Sequence, residues 1–213
     1  MMNTSVNYSL YTKTDADEMS RLLGNAFAHR DPPAVVLGLT VPEFESFVRL
    51  YGPKADAEGL TVVARSAATG EMIGALLAED SASSPPDGFE QLGPKFKPIF
   101  DILGQMDAEY SGGRARRPGE WLHLFLLGVA QDFAGQGVAQ RLVAECLANG
   151  GRKGYRVAVT EATNKTSQHL FRKLGFVERV RRSYSDHLFE GQAFFRSIAD
   201  QGGPILMDKP ITI

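Results

Sequence analysis

Gly135 and Gly137, in the run Asp132-Phe133-Ala134-Gly135-Gln136-Gly137-Val138-Ala139, are the residues of this chain best suited by type and spacing to meet an anion. The stretch before them, Trp121 to Val129, is short and rich in large apolar side chains, as a strand buried on both faces would be. Beyond Gly137, residues Val138, Leu142, Val143, Cys146 and Leu147 recur at helical spacing. The two glycines are therefore expected in the first turn of a helix, where backbone N–H groups have no internal partners and a phosphate can approach the main chain. A nucleotide P-loop would need Lys and Ser or Thr after Gly137, but Val138 and Ala139 follow. A dinucleotide fingerprint would want a third glycine where Gln140 stands. The pyrophosphate loop of an acyl-CoA-dependent acyltransferase fits the turn, and so does a plain strand-to-helix connection.

A second segment bears on that choice. From Tyr155 the chain reads YRVAVTEATNKTSQHLFRKLGFVE, a strand, then a helix from about Thr163, then Leu174-Gly175-Phe176. Gly135, Gly137, Asn164, Ser167, Leu170, Phe171, Gly175 and Phe176 fall in one register, and over roughly residues 120 to 180 the sequence resembles the GNAT superfamily of N-acetyltransferases. Three positions depart from the family pattern. Asp132 stands where Gln or Arg is usual, Ala134 where a basic residue is frequent, and Phe171 where many members carry tyrosine. The resemblance implies an α/β fold, a mixed and centrally splayed β-sheet flanked by helices on both faces. It also implies acetyl-CoA as co-substrate, no metal, and an enzyme moving an acetyl group to a primary amine by direct attack on the thioester. Expected cofactor contacts are Leu127, Gly128 and Val129 at the strand end, Ala134, Gly135, Gln136, Gly137, Val138 and Ala139 in the turn, and Asn164 and Phe171, with residue 171 beside the sulfur.

The segments FAHRDPP around Asp31, Leu37-Gly38, and YSDHLFEGQAFF from Tyr184 narrow the resemblance to arylalkylamine N-acetyltransferases, especially the insect dopamine type. In that family an acidic residue before proline is the proposed base, and Asp31 matches it. Acetyl transfer requires the ammonium to lose a proton, the carbonyl to be polarised and the thiolate to be neutralised. Asp31, His123 and Glu161 are candidate bases. Each has a competing structural reading: Asp31 as a turn starter before proline, His123 as a hydrogen-bonded core histidine, Glu161 as a solvated or capping strand end. With phenylalanine at 171, Tyr184 is the candidate proton donor, against a packing role with a wetted hydroxyl. A non-catalytic acyl-CoA-binding module, and an enzyme acting on a protein lysine or N-terminus, are the alternatives to a small-amine acetyltransferase.

The 213 residues, 43% of them hydrophobic, suit one domain spanning 1–213. A formal charge of −2 gives no basic field for nucleic acid. The start of the chain lacks a secretory pattern and no run reaches transmembrane length, so a cytoplasmic protein without membrane contact is expected, as monomer or homodimer. The lone Cys146 excludes an intramolecular disulfide. Val6 to Tyr11 reads as a strand and Thr14 to Ala28 as a helix, which must end before Pro32-Pro33. A second helix begins near Thr40 and is stopped by Gly52-Pro53. A hairpin spans Leu60 to Arg65 and Met72 to Ala78. Lys95 to Tyr110 is helical, a strand and turn follow Phe176, and Ile205 to Ile213 closes the sheet.

Overall fold

The computed structural model describes residues 5–212; the first four residues and the last of the expected closing strand lie outside them. The strands are β1 (Val6–Leu10), β2 (Val62–Ser66), β3 (Met72–Asp80), β4 (Trp121–Val129), β5 (Val157–Ala162), β6 (Val177–Arg181) and β7 (Ile205–Pro210). The helices are α1 (Ala16–Arg30), α2 (Pro32–Val36), α3 (Val41–Glu58), α4 (Lys97–Ser111), α5 (Val138–Arg152) and α6 (Lys165–Lys173). The strands form one sheet in the order β1-β2-β3-β4-β5-β7-β6. Every neighbouring pair is antiparallel except β4 and β5, which run parallel.

That parallel pair opens the sheet. β4 and β5 are paired only at Trp121, Leu122 and His123, with Val157, Ala158 and Val159 opposite. Past the last pair the Thr160 hydroxyl donates to the Leu124 carbonyl, and the strands then part. The expected central splay is therefore present, and helices cover both faces. On one side α5 contributes Val138, Leu142, Val143 and Cys146, and α6 contributes Phe171, to a core with Leu76, Leu122 and Leu124. On the other, Met19 and Leu23 of α1 and Phe44, Phe47, Val48 and Tyr51 of α3 pack on Val63, Ala75, Leu77 and Leu126.

The structure departs from the sequence reading, or adds to it, at three places. Pro53 does not end α3: the helix continues to Glu58 and closes on Gly59 in the left-handed conformation, φ 58°. An interior proline costs about 3 kcal/mol, while burying one large apolar side chain returns about 1.5–3 kcal/mol. With Phe44, Phe47, Val48 and Tyr51 before Pro53 and Ala55 after it all buried, packing outweighs the broken hydrogen bond. The chain does leave α1 at Asp31, but α2 starts at once, with Pro32 in its first turn, where the missing N–H is no loss. Finally, strict alternation along β4 would put Trp121, His123, Phe125, Leu127 and Val129 on one face, and the strand breaks that alternation. Leu77 faces Leu126 and Ala78 faces Leu124, so Phe125 is an extra residue, a β-bulge. Phe125 and Leu126 thus both pack towards α1 and α3, and Leu127 and Val129 turn to the α5 side.

Candidate active site

The glycine turn lies at the mouth of the splay. A short 3-10 turn at Gln131–Phe133 leads into Gly135, and Gly137 is the residue that caps α5, so both glycines precede the helix rather than sit within it. Their φ values are +75° and +83°, and neither donates its N–H to a backbone carbonyl among the described residues. A Cβ placed on either would meet nothing within 4 Å. Open space, free N–H groups and the start of a four-turn helix together suit a pyrophosphate.

From this turn a cavity of about 470 Å³ runs along the unpaired edge of β4. Leu127, Gly128, Val129, Ala134, Gly135, Gly137, Val138, Ala139 and Asn164 all line it, as expected of cofactor contacts. Gln136 does not; its backbone N–H donates back to the Phe133 carbonyl at 3.4 Å and its side-chain Nε2 to the Asp132 carbonyl at 2.9 Å, which shapes the turn. Phe171 lines a second, deeper cavity of about 100 Å³, whose walls are mostly apolar and carry six further phenylalanines, Phe27, Phe44, Phe47, Phe96, Phe100 and Phe125. Phe27, Asp31, Leu127, Asn164 and Ser167 border both cavities.

Asp31 stands at that border. Its side chain is buried, with Oδ1 accepting from the Thr163 hydroxyl at 2.5 Å and Oδ2 accepting from the Ala34 N–H at 3.4 Å. Burial penalises the carboxylate and raises its pKa, while the hydrogen bonds from Thr163, Ala34 and Asn164 pull it back; the balance is about 6. The turn-starter reading is realised, because Oδ2 caps α2, and the same residue lines both cavities.

His123 is placed differently. Its Nδ1 donates to Glu79 at 3.0 Å and its Nε2 to Glu161 at 2.7 Å. Burial by itself would lower the imidazole pKa, but the two carboxylates more than offset it and hold the ring protonated, up to about 10. Lys54 pairs with the other oxygen of Glu79. Glu161 is not solvated: its side chain is 8% exposed. Tyr184 is fully buried and lines neither cavity; its hydroxyl donates to the Thr163 carbonyl at 2.7 Å. Burial, and then the Asp31 charge, push its pKa up.

Thr163, Ser167, Glu79 and the phenylalanine lining escaped the sequence reading as site residues. Ser167 stood in the recognised motif, where it closes a capping box with Asn164, its N–H donating to Asn164 Oδ1 at 2.9 Å. Glu79 lies directly opposite His123 in the β3–β4 ladder, a pairing that only the register reveals.

A sheet splayed beside an N–H-rich turn at a helix start is the arrangement expected of an acyltransferase with a pyrophosphate-bearing co-substrate. The acetyltransferase (GNAT) family profile matches residues 42–176, more than half of the sequence, and the chain belongs to that family. Among curated proteins none matches by sequence. Solved structures similar to this one include the C-terminal condensation domain of Ebony in complex with beta-alanyl-dopamine, at TM-score 0.90 and 15% identity, covering 98% of this chain and 100% of that one. Arylalkylamine N-acetyltransferase 2 from Aedes aegypti matches at TM-score 0.79 and 19% identity, over 98% of this chain and 100% of that one. The polyamine N-acetyltransferase of Drosophila melanogaster matches at TM-score 0.76 and 17% identity, over 97% and 100%. At these identities the likeness is one of fold.

Proposed function

We propose that the protein, acting as a single domain, transfers an acetyl group from acetyl-CoA to a small primary amine by direct attack of the amine on the thioester, with Asp31 as general base. The observation that carries this reading is that Asp31 is the one ionisable side chain bordering both cavities among the described residues. A base with a pKa near 6 is ionised at neutral pH yet stronger than an ordinary aspartate, which suits proton removal from an attacking amine. Thr163 and Ala34 steady the carboxylate.

The free N–H groups around Gly135, Gly137 and the start of α5 hold the pyrophosphate, and the β4 edge beyond His123 offers backbone donors to the pantetheine arm and the thioester oxygen. When bound, acetyl-CoA supplies the acetyl carbon and a thiolate leaving group. Ser167, the one hydroxyl side chain bordering both cavities among the described residues, is our candidate to protonate that thiolate, on turning its hydroxyl from the Asn164 carbonyl to which it donates at 2.9 Å, a role Phe171 cannot fill. The aromatic cavity, on the scale of a single ring, excludes water and supports a small acceptor over a protein surface. The fold likeness to enzymes named for arylalkylamine and polyamine acetylation agrees with an amine acceptor.

Acetyl-CoA consumption over a panel of arylalkylamines, diamines and lysine-bearing peptides tests this. The expected result is turnover confined to small amines. Acetyl-CoA binding without turnover on any of them would identify a binding module instead, and turnover confined to peptides would move the acceptor to proteins.

A further inference from the structure

The cofactor cavity is short of positive charge. A diphosphate is doubly charged, while the start of a helix offers only roughly half a positive charge. The turn itself adds no cation, because Asp132 stands where Gln or Arg is usual in the family and Ala134 where a basic residue is frequent. Among the described residues that line the cavity, Arg30 is the one cation.

Arg30 comes from another element, as the last residue of α1. The helix dipole alone would favour a basic residue there, since cations suit a C-terminus. The side chain, however, leaves its own helix: Nη2 donates to the Val129 carbonyl at 2.7 Å and Nη1 to Gln131 Oε1 at 3.0 Å, 99 and 101 positions along the chain. Val129 and Gln131 line the same cavity, at the end of β4 and in the short turn that leads to Gly135. Both acceptors are uncharged, and no carboxylate pairs with the guanidinium among the described residues. A guanidinium also has more N–H donors than the two used here, in a planar fork that matches phosphate oxygens. Held at both acceptors, this long side chain has already given up much of its rotamer freedom, so meeting an anion there costs less ordering.

Resting on the proposed acetyltransferase reading, we infer that Arg30 is the side-chain cation of the diphosphate site, supplied by α1 in place of a basic residue in the turn. It neutralises charge that the N–H groups around Gly135, Gly137 and the start of α5 leave over. Because Gln131 stands four positions before Gly135, the guanidinium belongs to the diphosphate and not to the 3′-phosphate of the nucleotide. Consecutive residues of the chain then serve the two substrates, Arg30 the cofactor and Asp31 the amine.

Calorimetric titration of the full chain with CoA and with dephospho-CoA, which lacks only the 3′-phosphate, tests the inference without any acceptor present. In dilute buffer Arg30→Gln should bind CoA ~10-fold or more weakly than the wild type, the scale of a hydrogen bond between charged groups. Dephospho-CoA should lose the same factor. Both losses should shrink at ~1 M NaCl, where charges are screened beyond ~3 Å. Should Arg30→Gln not fold, Arg30→Lys, which keeps the charge but not the fork, should show a smaller loss with the same salt dependence. Unchanged CoA affinity in a folded variant, a loss that dephospho-CoA does not share, or a loss indifferent to salt, as a purely structural link between α1 and β4 would give, would each overturn the inference while leaving the acetyltransferase reading standing. A wild type that binds neither nucleotide would overturn that reading and this inference with it.

Discussion

Two effects act on the Asp31 carboxylate, and they pull stability in opposite directions. Its Oδ2 caps α2, while its burial makes the ionised form costly. The native pKa of about 6 lies above the ordinary value near 3.8, so the folded state binds more protons across that interval. Stability therefore falls as pH rises through it, and stays lowered at neutral pH. Asparagine caps a helix as well as aspartate and carries no charge. Asp31→Asn should melt at a higher temperature than the wild type at pH 7, with the gap closing near pH 4; a lower melting temperature at pH 7 would refute the assignment of strain to the buried charge. Tyr184 makes the reverse case. Its hydroxyl supports the Thr163 carbonyl and lines no cavity, so Tyr184→Phe should cost ~1 kcal/mol of stability and leave kcat within a few fold. A kcat loss of ~100-fold would identify Tyr184 as the proton donor.

At the scale of the element, what could be read from the sequence is what neighbours in the chain decide. The apolar run of β4 and the spacing of α5 are local and appear where expected, while the glycine turn falls just before α5 instead of in its first turn. The bulge at Phe125 is not local, because it exists only in the register of β4 against β3. The continuation of α3 through Pro53 was equally hidden, since the packing that sustains it involves Val63, Leu77 and Phe96 from elsewhere in the chain. The turn also gives the clearest element-scale prediction. At Gly137, φ is +83°, a conformation that Asp tolerates better than most residues, and its Cβ would enter open space. Gly137→Asp should therefore fold but bind CoA much more weakly, through bulk and repulsion of the pyrophosphate. Calorimetry giving unchanged CoA affinity in the folded variant would remove the turn from the cofactor site.

Across the whole molecule, the site is made by the parting of β4 from β5, which leaves room for two cavities and brings together groups far apart in the chain. Asp31 and Thr163 are separated by 132 positions, and His123 sits 44 from Glu79 and 38 from Glu161. Asp31, His123 and Glu161 could each be named from the sequence as candidates, but their division of labour could not. It comes from which carboxylate stands alone between the cavities and which two share a protonated imidazole. The most direct test of that division is the pH dependence of kcat/KM for the best small amine. The wild type should show an acidic limb near pH 6, set by Asp31, and Asp31→Asn should lose both that limb and roughly 100-fold or more of its activity. An acidic limb unchanged in Asp31→Asn, with activity near that of the wild type, would contradict the assignment of Asp31 as the base.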